Sequence, residues 1–462
     1  MTQRVAVIGA GVAGLTVGHE LTKQGVEAHV YERWPGLGGQ AATLDVGEGV
    51  LLERYYHHLF TSDHHIAGLY ADLGLPDGIE WFPSSVAFFV DGHSRSFTSP
   101  LDLLRFTPLS LVSRLRMGAA VLNLQRRHKD VTPFESRTAH DWIVAAMGQQ
   151  VWDKVMGPLL RGKFGDRAED ISMAWLWGKL TVRRQIVGEQ TTGERLGYPR
   201  GGFEPLFAAL RETIRARGGQ VLIDRPAARI ERDGGGLAIT PGAPRSYRAG
   251  HDPRRFDAGG HPEPYDGVVA TVSNPIFEQL LGEQLRSELG EPYLRSLQAI
   301  EYHAAQCLVL ELDRRFSPFY WTNVADRSLP FVGLIEQGNL TGVDHYRGRR
   351  FLYVANYVEQ DAAVLECSAE ELLSRYEPGL RKVNPGFDRS WVKSSWAFVE
   401  PDAQPIVTPG YRRRIPALQT GAHGLVLANT TQVYPEDRGT NYAVRLGREA
   451  AGQVMAALAG GR

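Results

Sequence analysis

Two stretches of the sequence carry residues whose type and spacing could do chemistry. Gly9-Ala10-Gly11-Val12-Ala13-Gly14 directly follows the β-branched run Arg4 to Ile8 and opens a helical pattern from Val12 to Lys23. In G-x-G-x-x-G the first glycine permits a tight turn, the second lets a pyrophosphate approach the backbone, and the third lets helix and strand pack closely. The helix start then offers N–H groups and a positive dipole end to phosphates. Glu32, at the end of the next apolar run and followed by Arg33, is placed to accept hydrogen bonds from an adenosine ribose. The second stretch, Arg54 to His65, reads RYYHHLFTSDHH. Its histidines form adjacent pairs seven apart, with no i, i+4 pairing, no nearby cysteine and no H-E-x-x-H, so no metal site is expected. His57 and His58 are the candidates for a base beside a cofactor or substrate, with Tyr56 as a neighbouring contact. His64 and His65 follow a Ser62-Asp63 helix-cap signal and are expected at the surface.

The elements that must hold these residues follow from periodicity. Arg4 to Tyr31 is a βαβ unit. Helical patterning dominates from about Leu101 to Arg184, rich in Leu, Trp and Met, and reads as an inserted helical lobe. Trp142, Trp152, Met156, Trp175 and Trp177 are expected in its core and in part along a cavity wall. VLIDRPAARIE and DGVVATVSN resume strand character, with an exposed loop expected over Pro241 to Pro264. CLVLELD, RRFLYVANY and SWVKSSWAFV predict a second sheet, and GLVLAN leads into a long terminal amphipathic pattern. The expected fold class is α/β (α+β): a Rossmann-type dinucleotide domain built from 1–80, 195–295 and 396–462, and a discontinuous substrate domain of mixed sheet plus inserted helices built from 81–194 and 296–395.

With 462 residues, 43% of them apolar, the chain can bury a large site between two lobes. Its 51 basic and 52 acidic residues leave a net charge of −1, which argues against a field built for nucleic acid or an acidic membrane. Cys307 and Cys367 are too few for a disulfide framework, and no apolar run of membrane-spanning length or signal-like leader stands out, so a cytoplasmic protein without an integral membrane segment is expected.

Seven residues beyond Glu32 the chain reads Pro35-Gly36-Leu37-Gly38-Gly39-Gln40, and this glycine doublet resembles the extended FAD signature of the flavin amine oxidase and protoporphyrinogen oxidase superfamily. GLVLANTTQVYPEDRGTNYAVRLGREAAGQV is similar to that superfamily's closing segment, and VLIDRPAARIE to its strand near the adenine. The resemblance implies FAD as cofactor, with Gly38, Gly39, Gln40, Ala227, Asn429, Gly439, Thr440 and Asn441 joining Gly9, Gly11, Ala13, Gly14, Glu32 and Arg33 around it. Asn429 takes a place often held by Asp, and N–H groups of Thr440 and Asn441 would face the flavin edge where negative charge collects on reduction. Asp437 and Arg438, just before that helix, are expected as a salt-bridged cap or as cavity residues.

Gln306 falls where amine oxidases of the superfamily usually carry a lysine, which lowers the expectation of amine oxidation; Cys307 is expected in the core. Arg200, Trp321, Asn323 and Glu336 are the further candidates for substrate contact. The resulting expectation is an FAD-dependent oxidoreductase similar to protoporphyrinogen oxidases and desaturases. It would pass a hydride from a C–H or N–H of a small, largely apolar or biosynthetic-intermediate substrate to flavin N5, with oxygen, a quinone or another acceptor regenerating it. The run His57-His58-Leu59-Phe60-Thr61 also resembles a segment of UDP-galactopyranose mutase, so a non-redox sugar isomerase is an alternative, and a non-catalytic flavin-binding protein a third. A small molecule is the expected partner, and nucleic acid is not.

Overall fold

The computed structural model of the chain describes residues 2–182, 195–243 and 256–460. The strand Arg4–Ile8 lies at the centre of a five-stranded, wholly parallel sheet, with Glu27–Tyr31 and Gln220–Leu222 on one side and Gly267–Ala270 and Leu425–Leu427 on the other. Val5, Ala6 and Val7 are completely buried, as a parallel strand covered on both faces requires. Three helices, Val12–Lys23, Glu204–Ala216 and Thr440–Gly460, cover one face. Gly447 allows the last of these to lie directly on the first, because a Cβ there would sit 2.6 Å from the carbonyl oxygen of Ala13. The opposite face packs against a three-stranded antiparallel sheet, Ala227–Asp233, Gly236–Pro241 and Glu263–Tyr265, and the helices Asn274–Leu280 and Glu283–Gln298.

A second sheet of seven strands runs in the order Val392–Pro405, Tyr302–Leu312, Arg350–Val358, Gly333–Glu336, Trp321–Val324, Val86–Val90, His93–Ser96. Every residue of Tyr302–Leu312 is buried. The helical insertion, Pro100 through Val182, closes over its own core, in which Trp152, Met156 and Trp175 are buried and Trp142 and Trp177 half-buried.

The expected lobe divisions at residues 80 and 396 lie within strands. Ile79–Pro83 is one strand, paired with Arg195–Pro199, and Val392–Pro405 pairs with Tyr302–Leu312 from Leu312 opposite Val392 to Tyr302 opposite Pro405. Of the expected loop Pro241 to Pro264, residues 244–255 lie outside the described residues, and its end enters the short strand Glu263–Tyr265.

Glu53 ties the lobes together from beneath. Its carboxylate accepts from the Tyr198 hydroxyl and, at 3.1 Å, from the Phe203 N–H, while its carbonyl accepts from the Tyr353 hydroxyl of the large sheet at 2.7 Å. Burial pushes this carboxyl above its ordinary range, against the pull of those hydrogen bonds. A group held more tightly protonated in the folded state contributes stability at acid pH that is lost as pH rises through its folded value. Glu53→Ala should therefore cost about 2 kcal/mol in urea unfolding, since it orphans two buried donors. Glu53→Gln should retain most of the stability and flatten its decline above the ordinary carboxylate pKa; equal destabilisation by both variants would contradict this role.

Candidate cofactor and active site

Two glycine segments form the floor of a long cleft. Gly9 adopts φ +99°, and a Cβ on Gly14 would lie 1.8 Å from the Gly9 carbonyl oxygen, so the first helical turn can sit on the strand end only with glycine there. The Gly38 N–H donates to the Ala10 carbonyl at 2.8 Å, and a Cβ on Gly38 would lie 2.3 Å from the Phe207 ring. The doublet is thereby laid against the first glycine loop, with Gly11 bridged to Gly38. Glu32 is oriented by backbone donors, its Oε2 accepting from the Ala10 N–H at 2.7 Å and its Oε1 from the Trp34 N–H at 2.9 Å.

Gly9, Gly11, Ala13, Glu32 and Arg33 line this cleft, as do Gly38, Gly39 and Gln40. Ala227 borders one part of it, and Asn429, Gly439 and Thr440 line it from the C-terminal segment. The space is about 1610 Å³, its open mouth included. The backbone cradle, helix start and buried acid match the phosphate and ribose of a dinucleotide in chemistry, and these residues would hold FAD. Asn429 explains its own amide. Its Nδ2 donates to the Val272 carbonyl at 2.8 Å and to Asn274 Oδ1 at 2.9 Å, two acceptors that an aspartate could not serve, while Oδ1 accepts from the Thr431 N–H and hydroxyl. Asn441 does not line the cleft. It is buried, and its Oδ1 accepts from the His65 and Ile66 N–H groups at 2.9 and 3.2 Å, capping the helix His64–Asp72.

A smaller cavity of about 410 Å³ opens beside the cleft, lined by Tyr55, Tyr56, His57, Gln306, Asn356, Tyr357 and Glu400 among others. His57, Gln40, Glu400 and Arg438 line both spaces. His57 Nδ1 lies 2.7 Å from the Tyr55 carbonyl, which fixes Nδ1 as the protonated nitrogen and Nε2 as the lone pair. Burial draws its pKa down to about 4, the Tyr55 carbonyl partly opposing this and Arg438 reinforcing it. Gln306 is engaged by its own partners, accepting from the Tyr376 hydroxyl at 2.6 Å and donating to the Val364 carbonyl. Cys307 also borders the cavity, with burial pushing its thiol well up.

Five expected contacts lie elsewhere. His58 turns away from both spaces, its Nδ1 3.0 Å from the Tyr320 hydroxyl and its ring edge-on to Phe60 and Trp321. Trp321 backs the Tyr56 ring, centroids 4.9 Å apart, and donates to Asn323 Oδ1 at 3.0 Å, so both stand behind the cavity wall. Glu336 accepts from the Phe316 and Ser317 N–H groups at 3.0 and 2.7 Å and secures a turn. Arg200 is 68% exposed and pairs with Glu80.

Two cations carry more of the site than the sequence suggests. Arg54 is buried in the cleft wall, its guanidinium 4.6 Å from the Trp34 ring centre and its Nε without a hydrogen-bond partner among the described residues. Arg438 donates to Gln404 Oε1 at 2.9 Å, Gln40 Oε1 at 3.1 Å and the Tyr357 hydroxyl at 2.8 Å, joining the terminal segment to the glycine doublet and the large sheet. The signals were slight: Arg54 opens the histidine-rich stretch, and Arg438 stands just before a helix start.

Asp437 is held by Lys163 and, at 2.8 Å, Lys179, both from the helical insertion. Burial would raise its carboxyl pKa, but the two ammonium groups hold it well below the carboxylate range; burial in turn draws Lys163 down to about 7. Asp437→Asn keeps the shape and removes the charge, leaving two close cations unbalanced. It should cost about 2 kcal/mol of stability, less than a fully buried pair because Lys179 is partly exposed. It should also weaken FAD retention, measured by fluorescence of released flavin; unchanged retention and unfolding midpoint would show the cluster to be incidental.

A family model for flavin containing amine oxidoreductases matches residues 12–455. Among curated relatives, 15-cis-phytoene desaturase of Synechococcus elongatus is 34% identical over 239 residues, 48% of this chain and 50% of its own. UDP-galactopyranose mutase of Mycoplasma pneumoniae is 22% identical over 394 residues, covering 79% of this chain and 95% of its own. The chain spans about half the length of the first curated relatives it matches. Among solved structures, cyclohexylamine oxidase from Brevibacterium oxydans superposes with a TM-score of 0.66 at 16% identity, covering 98% of this chain and 99% of its own, a likeness of fold. The glycine cradle and the match along nearly the whole chain give one conclusion: this chain belongs to the flavin containing amine oxidoreductase family, and its cofactor is FAD.

Proposed function

We propose that the chain is an FAD-dependent oxidoreductase that removes a hydride from a C–H or N–H of a small polar substrate held in the second cavity. The observation that carries this reading is the shared wall between cleft and cavity, where His57 and Arg438 border both. FAD in the cleft supplies a two-electron acceptor. The chain's own residues supply position and charge. Arg438, fixed by three side-chain acceptors, can bind an oxygen or carboxylate of the substrate with its remaining N–H groups. His57 Nε2, aimed by the Tyr55 carbonyl, can accept a hydrogen bond or a proton from the substrate. Tyr56 and Tyr357 line the same cavity.

The lining combines the rings of Tyr55, Tyr56 and Tyr357 with the charged groups of Glu400 and Arg438, which the largely apolar substrate expected from desaturase-like resemblance would leave unmatched. Glu400 and Arg438 would lose solvation against a hydrocarbon, while Gln40, Gln306 and Asn356 keep partners within the protein. The same polarity, with the long match to UDP-galactopyranose mutase, supports an isomerase acting on a sugar as the second reading.

Anaerobic bleaching of the flavin against a panel of hydroxy acids, amines, nucleotide sugars, porphyrinogens and polyprenoids tests these readings. Bleaching by a polar member is expected. Bleaching by polyprenoids alone would overturn the polar-substrate proposal, and conversion of a nucleotide sugar by prereduced protein without consumption of an acceptor would establish the isomerase. His57→Ala should slow flavin reduction roughly 100-fold, the size of one general base. Since burial holds His57 near pKa 4, the wild-type rate should show its His57 limb near pH 4 and none at 6.5; a limb at 6.5 lost in His57→Ala would contradict the assignment.

A further inference from the structure

Eight large apolar side chains are prominently exposed among the described residues, and six of them, Leu101, Leu104, Leu111, Val112, Leu115 and Leu122, fall on two consecutive helices, Pro100–Arg105 and Leu111–Arg127. Leu111, Leu115 and Leu122 recur at intervals of four and seven and share one face of the longer helix, while Met117 and Leu124 are buried on the opposite face. That helix is therefore apolar on two sides, only one of which the insertion's core uses. Arg114 locks the pair into one surface, donating to the Leu109 carbonyl at 2.9 Å and to the Leu104 carbonyl.

The charge around this surface is one-sided. Residues 101–129 hold Arg105, Arg114, Arg116, Arg126, Arg127 and Lys129 against a single acid, Asp102, in a chain whose net charge is −1. Asp102 is turned inward to the helix start, where it accepts from the Thr98 and Ser99 N–H groups at 3.0 and 2.9 Å. Arg116 donates to the Ala145 carbonyl, and among the described residues none of the five arginines is paired with an acid. A hydrophobic stripe edged by unneutralised guanidinium groups matches the acyl boundary and headgroups of an anionic bilayer. No helix among the described residues is long and apolar enough to cross a membrane, so the contact would be superficial.

We propose that this face of the helical insertion docks on an anionic lipid surface. The overall charge balance, read from the whole chain as arguing against such a partner, averages away a local field. Co-sedimentation of the FAD-loaded protein with phosphatidylglycerol-containing vesicles and with pure phosphatidylcholine vesicles tests it. Binding to the anionic vesicles is expected to exceed binding to the zwitterionic ones by about 10-fold and to fall at least about 10-fold between 0.1 and 0.5 M salt. The triple variant Leu111→Ser, Leu115→Ser, Leu122→Ser should lose binding by a similar factor while keeping its flavin spectrum and unfolding midpoint; Arg116→Gln with Arg126→Gln and Arg127→Gln is the second variant, removing charge without touching the apolar stripe. Absence of vesicle binding, equal binding to both lipids, or a concentration-dependent dimer that the leucine variant dissolves would each overturn the assignment, the last by showing that a second copy of the chain covers this face.

Discussion

Asp437 and Arg438 place opposite charges side by side where three parts of the molecule meet, and neither can be left unpaired in that setting. Asp437 is matched by lysines that arrive from the insertion, more than 250 residues earlier in the chain. Arg438 is matched by neutral acceptors from the glycine doublet and the large sheet. The terminal helix begins at Thr440, immediately after them. The direction in which that helix presents its N-terminal N–H groups is therefore set by ion pairing at 437 and hydrogen bonding at 438, and the shape of the cleft depends on both.

What the sequence made legible was local. The first glycine motif, the strand before it, the helix after it and Glu32 lie within about one βαβ unit, where spacing determines placement. The glycine doublet and the terminal segment became readable only through family resemblance, the doublet because its turn follows no local period and the terminal segment because its helix meets the first one from the far end of the chain. Val392–Pro405 is a strand by pattern, but membership of the large sheet comes from its ladder with Tyr302–Leu312, which no local pattern records.

Side-chain direction was the other missing quantity. His57 and His58 are chemically identical neighbours, yet one borders the cleft and the other meets Tyr320, since successive residues of a non-helical segment diverge. Glu336 looks like a cavity acid at a strand end until the turn at Phe316 and Ser317 supplies it with two donors. Arg54 and Arg438 carried only slight signals, and their importance follows from burial, which makes any cation conspicuous once the fold is known.

The same ion pairs bear on the chemistry of the cleft. A carboxylate one residue before Arg438 would ordinarily cancel the field of that guanidinium, but Asp437 is already committed to two ammonium groups. The field facing the cleft from residues 437–440 is consequently positive, reinforced by the start of the helix at Thr440. A positive field disfavours protonation of His57, as burial does, so the histidine stays neutral and keeps its Nε2 lone pair. It also favours any negative charge that develops in the cleft during turnover. The helical insertion thus does more than wall the substrate lobe: by supplying Lys163 and Lys179 it offsets the charge of Asp437, beside the wall where Arg438 and Glu400 border both cofactor cleft and cavity.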